Sequence, residues 1–196
     1  QLAARAARAF HEFMPIATTM AEPQRVYRKI SYGPLLDVFV LDMRTYRGPN
    51  TLNDQSEQGP ETVFLGADQL NWLKRELTAS KATWNVVWLT ADVHYTAAHY
   101  YNPDKAKFQD FAPFWEFVSG PIHAGTFGPN ELDDTFGPEL RYVKAPEDGQ
   151  VNLPPSAGLQ FFGHVKIAAD SRVMTVTLRD ADDQSLWSTD LEPELG

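Results

Sequence analysis

The chain contains no cysteine, which excludes thiolate catalysis, disulfides and zinc-thiolate clusters within it and leaves its redox compartment undetermined. No apolar run approaches about twenty residues, and no basic start leads into an apolar core, so neither a membrane span nor a signal peptide is visible. The nucleophile signature G-x-S-x-G and the phosphate-loop order G-x-x-x-x-G-K-[ST] are both missing, which argues against serine hydrolase and nucleoside-triphosphatase chemistry. Positive charge is scarce. Seventeen Lys plus Arg stand against 26 Asp plus Glu, a net charge of -9, so generic nucleic-acid binding is disfavoured and a phosphate-bearing substrate would depend on local cations. There is no internal repeat and no low-complexity tract.

What is present suffices for one sizeable domain, since 196 residues can bury most of their apolar surface without a disulfide or a partner. The chain opens on Gln inside an amphipathic pattern, and the expectation is that an N-terminal part is missing. Leu2, Ala6, Ala9, Phe10 and Phe13 fall near helical spacing until Met14-Pro15. A strand pair follows, Arg25 to Tyr32 and Leu35 to Leu41, joined at Gly33-Pro34. Residues 44 to 60 read as a long polar loop, and 66 to 80 as an amphipathic helix burying Leu70, Leu73 and Leu77 with Trp72 beside them. The near-continuous apolar run Thr83 to Leu89 suits a strand covered on both faces. From Tyr95 to Pro155 the chain is rich in aromatics, Gly and Pro, including the run Trp115 to Gly125, and one strand leading into a long irregular region is expected. The last forty residues alternate over Leu159 to Ala168, Val173 to Leu178 and Leu186 to Leu191, with turn residues between, as in an antiparallel meander.

The run Trp88-Leu89-Thr90-Ala91-Asp92-Val93-His94 ends a strand in a carboxylate and an imidazole two positions apart. In extended backbone such residues point to the same side, so Asp92 and His94 would converge as metal ligands do. The alternative is that Asp92 caps the following segment while His94 satisfies a backbone carbonyl. His123 lies in a Gly-Pro-Ile-His-Ala-Gly turn that would present its side chain; His99 among tyrosines, His164 in the meander and His11 on the first helix have plainer readings. In Leu41-Asp42-Met43-Arg44-Thr45-Tyr46-Arg47, Arg44 and Arg47 could hold a phosphate through forked donors. Alternatively, Asp37 or Asp42 pairs with one of them and orders the loop.

Several of these segments together resemble one family. Phe39 to Arg47, Phe64 to Leu73 and Leu89 to Tyr95 follow one another in the order seen in PhoD-like (alkaline phosphatase D) metallophosphatases, and Val118 to Pro138, with Gly120 to Pro129, resembles a branch of that family. The resemblance runs from Ala9 to about Leu191. The family pattern usually reads Asp-Thr-Arg where this chain has Asp42-Met43-Arg44, and Thr-Gly-Asp-Val-His where it has Thr90-Ala91-Asp92-Val93-His94. The family's N-terminal half, which brings the remaining carboxylate, Asn and other ligands of a binuclear site, has no counterpart here.

The resemblance implies an α/β (α+β) chain forming the C-terminal portion of one calcineurin-like domain, a four-layer αββα sandwich with metals at the carboxyl ends of strands. It implies hydrolysis of phosphomonoesters or phosphodiesters by a metal-bound hydroxide, with iron and calcium as the expected metals. Asp92 and His94 would be ligands, His123 a ligand or leaving-group acid, and Arg44 a phosphate-orienting group. A periplasmic or secreted location is implied as well. The contrasting expectation is a truncated, non-catalytic module that needs an N-terminal half or partner chain, because a metal takes three or four protein donors and only Asp92 and His94 are plain.

Overall fold

A computed structural model describes residues 2–18, 20, 22–49, 57–88 and 93–194. Asp92 therefore lies outside the described residues. The chain forms two compact units, Gln1–Ala91 and Asp92–Gly196. It is an α+β protein whose sheets are mostly antiparallel.

The first unit runs α1 (Leu2–Phe13), β1 (Arg28–Tyr32), β2 (Leu36–Val40), α2 (Ala67–Ala79) and β3 (Trp84–Trp88). β1 and β2 form an antiparallel hairpin whose turn uses Gly33 at φ +59°, a left-handed conformation that glycine adopts at no steric cost. β2 and β3 are parallel, with Val40 opposite Trp88, so the chain must cross over between them, and α2 makes the crossover. Asp68 in the first turn of α2 complements the helix dipole. The core of this unit is aromatic: Tyr27 packs 4.9 Å from Trp72, ring to ring, Phe39 lies 6.4 Å from Trp72, and Leu41 completes the cluster.

Two expectations need correcting here. The buried face of α2 centres on Gln69 and Trp72, with Leu73 and Leu77 packed against the core, while Leu70 is exposed. At about 100° per residue Leu70 sits at the rim of the stripe that Gln69 and Leu73 define. β3 is covered fully on neither face, because Asn85 and Val87 are exposed and Trp84 and Val86 only half-buried. The core contacts of α2 go to Tyr27 and Phe39, on the β1–β2 side of the sheet.

The second unit holds two antiparallel sheets. β4 (Thr96–Tyr101), β5 (Phe114–Ser119) and β6 (Pro138–Lys144) are ordered β5-β4-β6; β7 (Phe161–Ile167), β8 (Met174–Asp180) and β9 (Ser185–Leu191) form the expected meander in sequence order. The region read as one strand in irregular chain thus contains three. β4 escapes a pattern search because it is central: Thr96, Ala97, Ala98 and His99 are all buried, so no polar alternation marks it. On β8, Met174, Val176 and Leu178 form the buried face. The indole of Trp187 packs near Trp115, Phe117 and Tyr142 at 6.0, 6.2 and 6.2 Å, ring to ring.

A polar trio is built into the β4–β5 pair. His99 stands opposite Glu116; its Nδ1 is 3.0 Å from Glu116 Oε2, and the Tyr101 hydroxyl donates to the same oxygen at 2.9 Å. The hydrogen bond from His99, joined by that from Tyr101, outweighs burial and holds the Glu116 carboxyl below its ordinary range, while burial pushes the Tyr101 phenol up.

Two measurements follow. Phe39→Ala should lower the unfolding free energy of the chain by about 3–5 kcal/mol in denaturant titration, since the ring is fully buried under Trp72. Because the folded-state pKa of Glu116 is depressed, its stabilisation is fully present above the ordinary value of 4.5 and is lost as pH falls from there through the lower folded-state value. Melting temperature should therefore fall on acidification, and Glu116→Gln should flatten that slope.

Candidate functional site

In the first unit the candidate residues follow β2. Asp42 is buried, and its Oδ1 accepts the backbone N–H groups of Arg44 at 3.0 Å and Thr45 at 2.8 Å, folding the chain into a tight turn. The backbone of Asp42 is gripped from α2: its N–H donates to Gln69 Oε1 at 2.8 Å, and Gln69 Nε2 donates to the Asp42 carbonyl at 2.9 Å and to that of Leu65 at 2.8 Å. Asp42 thus orders the loop through backbone bonds rather than through an ion pair with either arginine. The Arg44 side chain is exposed, and the guanidinium of Arg47 lies over the Phe64 ring at 5.4 Å. Asp42 Oδ2 is buried with no hydrogen-bond partner among the described residues, the kind of acceptor that an ordered water or ion satisfies. Burial, with Tyr27, Asp42 and Glu22 adding to it, pushes the neighbouring Tyr46 phenol up.

In the second unit, His94 leads into β4 and a glycine-rich loop packs onto it. The Phe127 N–H donates to the His94 carbonyl at 3.2 Å, the Phe127 ring meets the imidazole edge-on at 5.2 Å, and His94 Nδ1 bonds to the Gly125 carbonyl. A carbonyl only accepts, so Nδ1 donates this bond. The imidazole does satisfy a backbone carbonyl. His123 is exposed on the same loop, two residues before Gly125.

The loop is tied down along its length. Thr126 bridges to Leu153, with Thr126 N–H to the Leu153 carbonyl at 3.2 Å and Asn152 N–H to the Thr126 carbonyl at 2.8 Å; the Phe161 N–H reaches the Pro121 carbonyl at 2.8 Å. Gln160 pairs with both backbone groups of Ala124. Two glycines permit the close approach. A Cβ on Gly120 would lie 2.5 Å from the Val93 carbonyl, and one on Gly128, at φ +102°, would lie 2.5 Å from the Tyr95 ring.

Arg44 belongs to the first unit, His94 and His123 to the second, and Asp92 lies outside the described residues. The remaining histidines are accounted for: His99 is buried against Glu116, His164 stands exposed on the outer face of the meander, and His11 lies on α1. The residues that sequence reasoning missed are Gln69 and Gln160. Their only sequence mark is a polar side chain where apolar neighbours predict burial.

The profile of PhoD-like phosphatases matches residues 1–87 and 85–178. The chain belongs to the PhoD-like phosphatase family. A PhoD-like relative, alkaline phosphatase D of Bacillus subtilis (strain 168), is 33% identical over 93 residues, a match covering 43% of this chain and 16% of that protein. The PhoD-like chain thus matches less than a fifth of its curated relative.

PhoD-like membership implies metal dependence, so the donor set matters. Among the described residues no group of three or more His, Asp or Glu is placed to hold a metal ion. Among those residues, the His94 imidazole is held through Nδ1 by a backbone carbonyl. No described helix is long and apolar enough to cross a membrane.

Gly120→Ala should displace the backbone at Val93 and His94. The expected signs are perturbed amide resonances at both residues and an unfolding free energy lower by about 1–3 kcal/mol.

Proposed function

We propose that the chain works as the C-terminal portion of a metal-dependent phosphoesterase domain of calcineurin-like αββα architecture, hydrolysing phosphomonoesters or phosphodiesters. The observation that supports this reading is the His94 imidazole, tied through Nδ1 to a backbone carbonyl at the start of β4, in a chain of the PhoD-like phosphatase family. Asp92 and His94 supply two ligands; the others come from sequence beyond the described residues, in keeping with the 16% of the relative that the match covers. Iron and calcium are the metals proposed, the imidazole suiting the transition metal and the carboxylate the harder ion. Bound cations would offset the substrate's charge and lower the pKa of water from about 15.7 towards neutrality.

The chain's own residues complete the reading. Arg44, exposed beside a rigid turn, offers forked donors to a phosphate oxygen. His123, exposed on the loop that packs on His94, gives a proton to the leaving group or adds a ligand. A periplasmic or secreted location belongs to the same proposal.

The test uses the longer protein. Asp92→Ala and His94→Ala should each reduce metal content and aryl phosphate hydrolysis at least about tenfold. Unchanged metal content with unchanged hydrolysis would overturn the proposal and favour a non-catalytic module.

A further inference from the structure

Gln69 lies in the first turn of α2, is 1% exposed, and turns its amide to the main chain. Its Oε1 accepts the Asp42 N–H at 2.8 Å, and Nε2 donates to the carbonyls of Asp42 at 2.9 Å and Leu65 at 2.8 Å. Peptide units are planar, so Asp42 is held through both of the planes that meet at its Cα. The carboxylate of Asp42 carries the restraint forward, because Oδ1 takes the Arg44 N–H at 3.0 Å and the Thr45 N–H at 2.8 Å. Met43 and Tyr46, which bracket Arg44 and Thr45, pack against the core of Tyr27, Phe39, Leu41 and Trp72. Tyr46 also sits against the N-cap of α2, where a Cβ on Gly66 would lie 3.0 Å from the Tyr46 Cβ. Arg44 and Thr45 are exposed. The segment is a short arch with both feet in the core, one of them gripped by Gln69, and an arginine at its crown.

A guanidinium that meets a phosphate through two parallel N–H donors works over a narrow range of directions. Its long side chain is already costly to order, and play in the backbone beneath it would add to that cost. The three bonds of Gln69 remove that play by tying the root of Arg44 to a helix. We propose that Gln69 is a positioning residue for Arg44: by fixing Asp42 to α2 it sets where the guanidinium meets a phosphate oxygen of the substrate. This rests on the reading of Arg44 as the phosphate-orienting group. Neither a methionine nor a carboxylate can replace the amide, because the first has no hydrogen-bonding pair and the second cannot donate to the two carbonyls.

The test takes two readouts on the longer protein, amide hydrogen exchange and steady-state kinetics with an aryl phosphate. In Gln69→Met, which keeps the side chain's length, the Arg44 and Thr45 amides should exchange at least about tenfold faster, while those of the β1–β2 hairpin keep their rates. Arg44→Ala should raise KM about tenfold through loss of charge-assisted hydrogen bonds. Gln69→Met should raise KM about 3–10-fold with kcat nearly unchanged, and should raise it no further in the Arg44→Ala background. A purely structural role would lower the melting temperature without this dependence on Arg44. Gln69→Ala leaves room for water on the freed main-chain groups and should show the same pattern. A folded Gln69→Met protein with wild-type KM, wild-type exchange at Arg44 and Thr45, or an effect fully additive with Arg44→Ala would overturn the proposal. Failure of both Gln69 variants to fold would also overturn it, because Gln69 would then serve the whole unit rather than Arg44. The two readings fail separately. If Arg44→Ala leaves KM unchanged, the phosphate-orienting reading falls and the proposal falls with it. If Arg44→Ala raises KM while a folded Gln69→Met protein does not, the reading of Arg44 stands and the positioning alone falls.

Discussion

Where a strand stops, its last N–H and C=O lose the neighbour that paired them, and a buried group left in that state costs about 1–3 kcal/mol. In this chain a glutamine amide takes the neighbour's place at both candidate loops. Gln69 reaches from α2 to the two backbone groups of Asp42, and Gln160 reaches from before β7 to those of Ala124. Glutamine suits the task because its side chain carries a donor and an acceptor in one plane, as a peptide does. The loops beyond, bearing Arg44 and His123, are tied down at their roots while these two side chains are exposed.

The acidic balance of the chain is handled in the same local way. Asp37 is held below its ordinary range by bonds from Ser31 and Ser80, Glu76 chiefly by Lys29, and Glu139 by Asn102 and Lys105. Each of these three carboxylates has donors of its own.

The legible parts of the fold were those with a period. α2, the β1–β2 hairpin and the C-terminal meander lie within a few residues of where spacing put them, because one face of each meets the core and the other faces water. β4 was opaque for the opposite reason. Buried on both faces and containing two alanines, it shows neither alternation nor bulk, and β6 begins on a proline. At the site, the segment carrying His94 and the loop carrying His123 were legible as chemistry but not as a contact. The bond between His94 and Gly125 joins residues 31 apart through a backbone atom, which no side-chain pattern encodes. Asp42 was read as a possible ion-pair partner, yet its bonds go to N–H groups two and three residues on.

The parallel pairing of β2 and β3 reaches beyond stability. Val40 and Trp88 are register partners, so the chain leaves both strands side by side and in the same direction. The excursion between them is closed at its base, where the Gly48 N–H donates to the Val63 carbonyl at 2.7 Å. Residues added inside that closure would leave the strand register alone and cost only loop entropy, about 0.6 kcal/mol for each doubling of length. The segment between Gly48 and Val63 is thus a place where the chain can lengthen without disturbing the sheet that pairs β2 with β3.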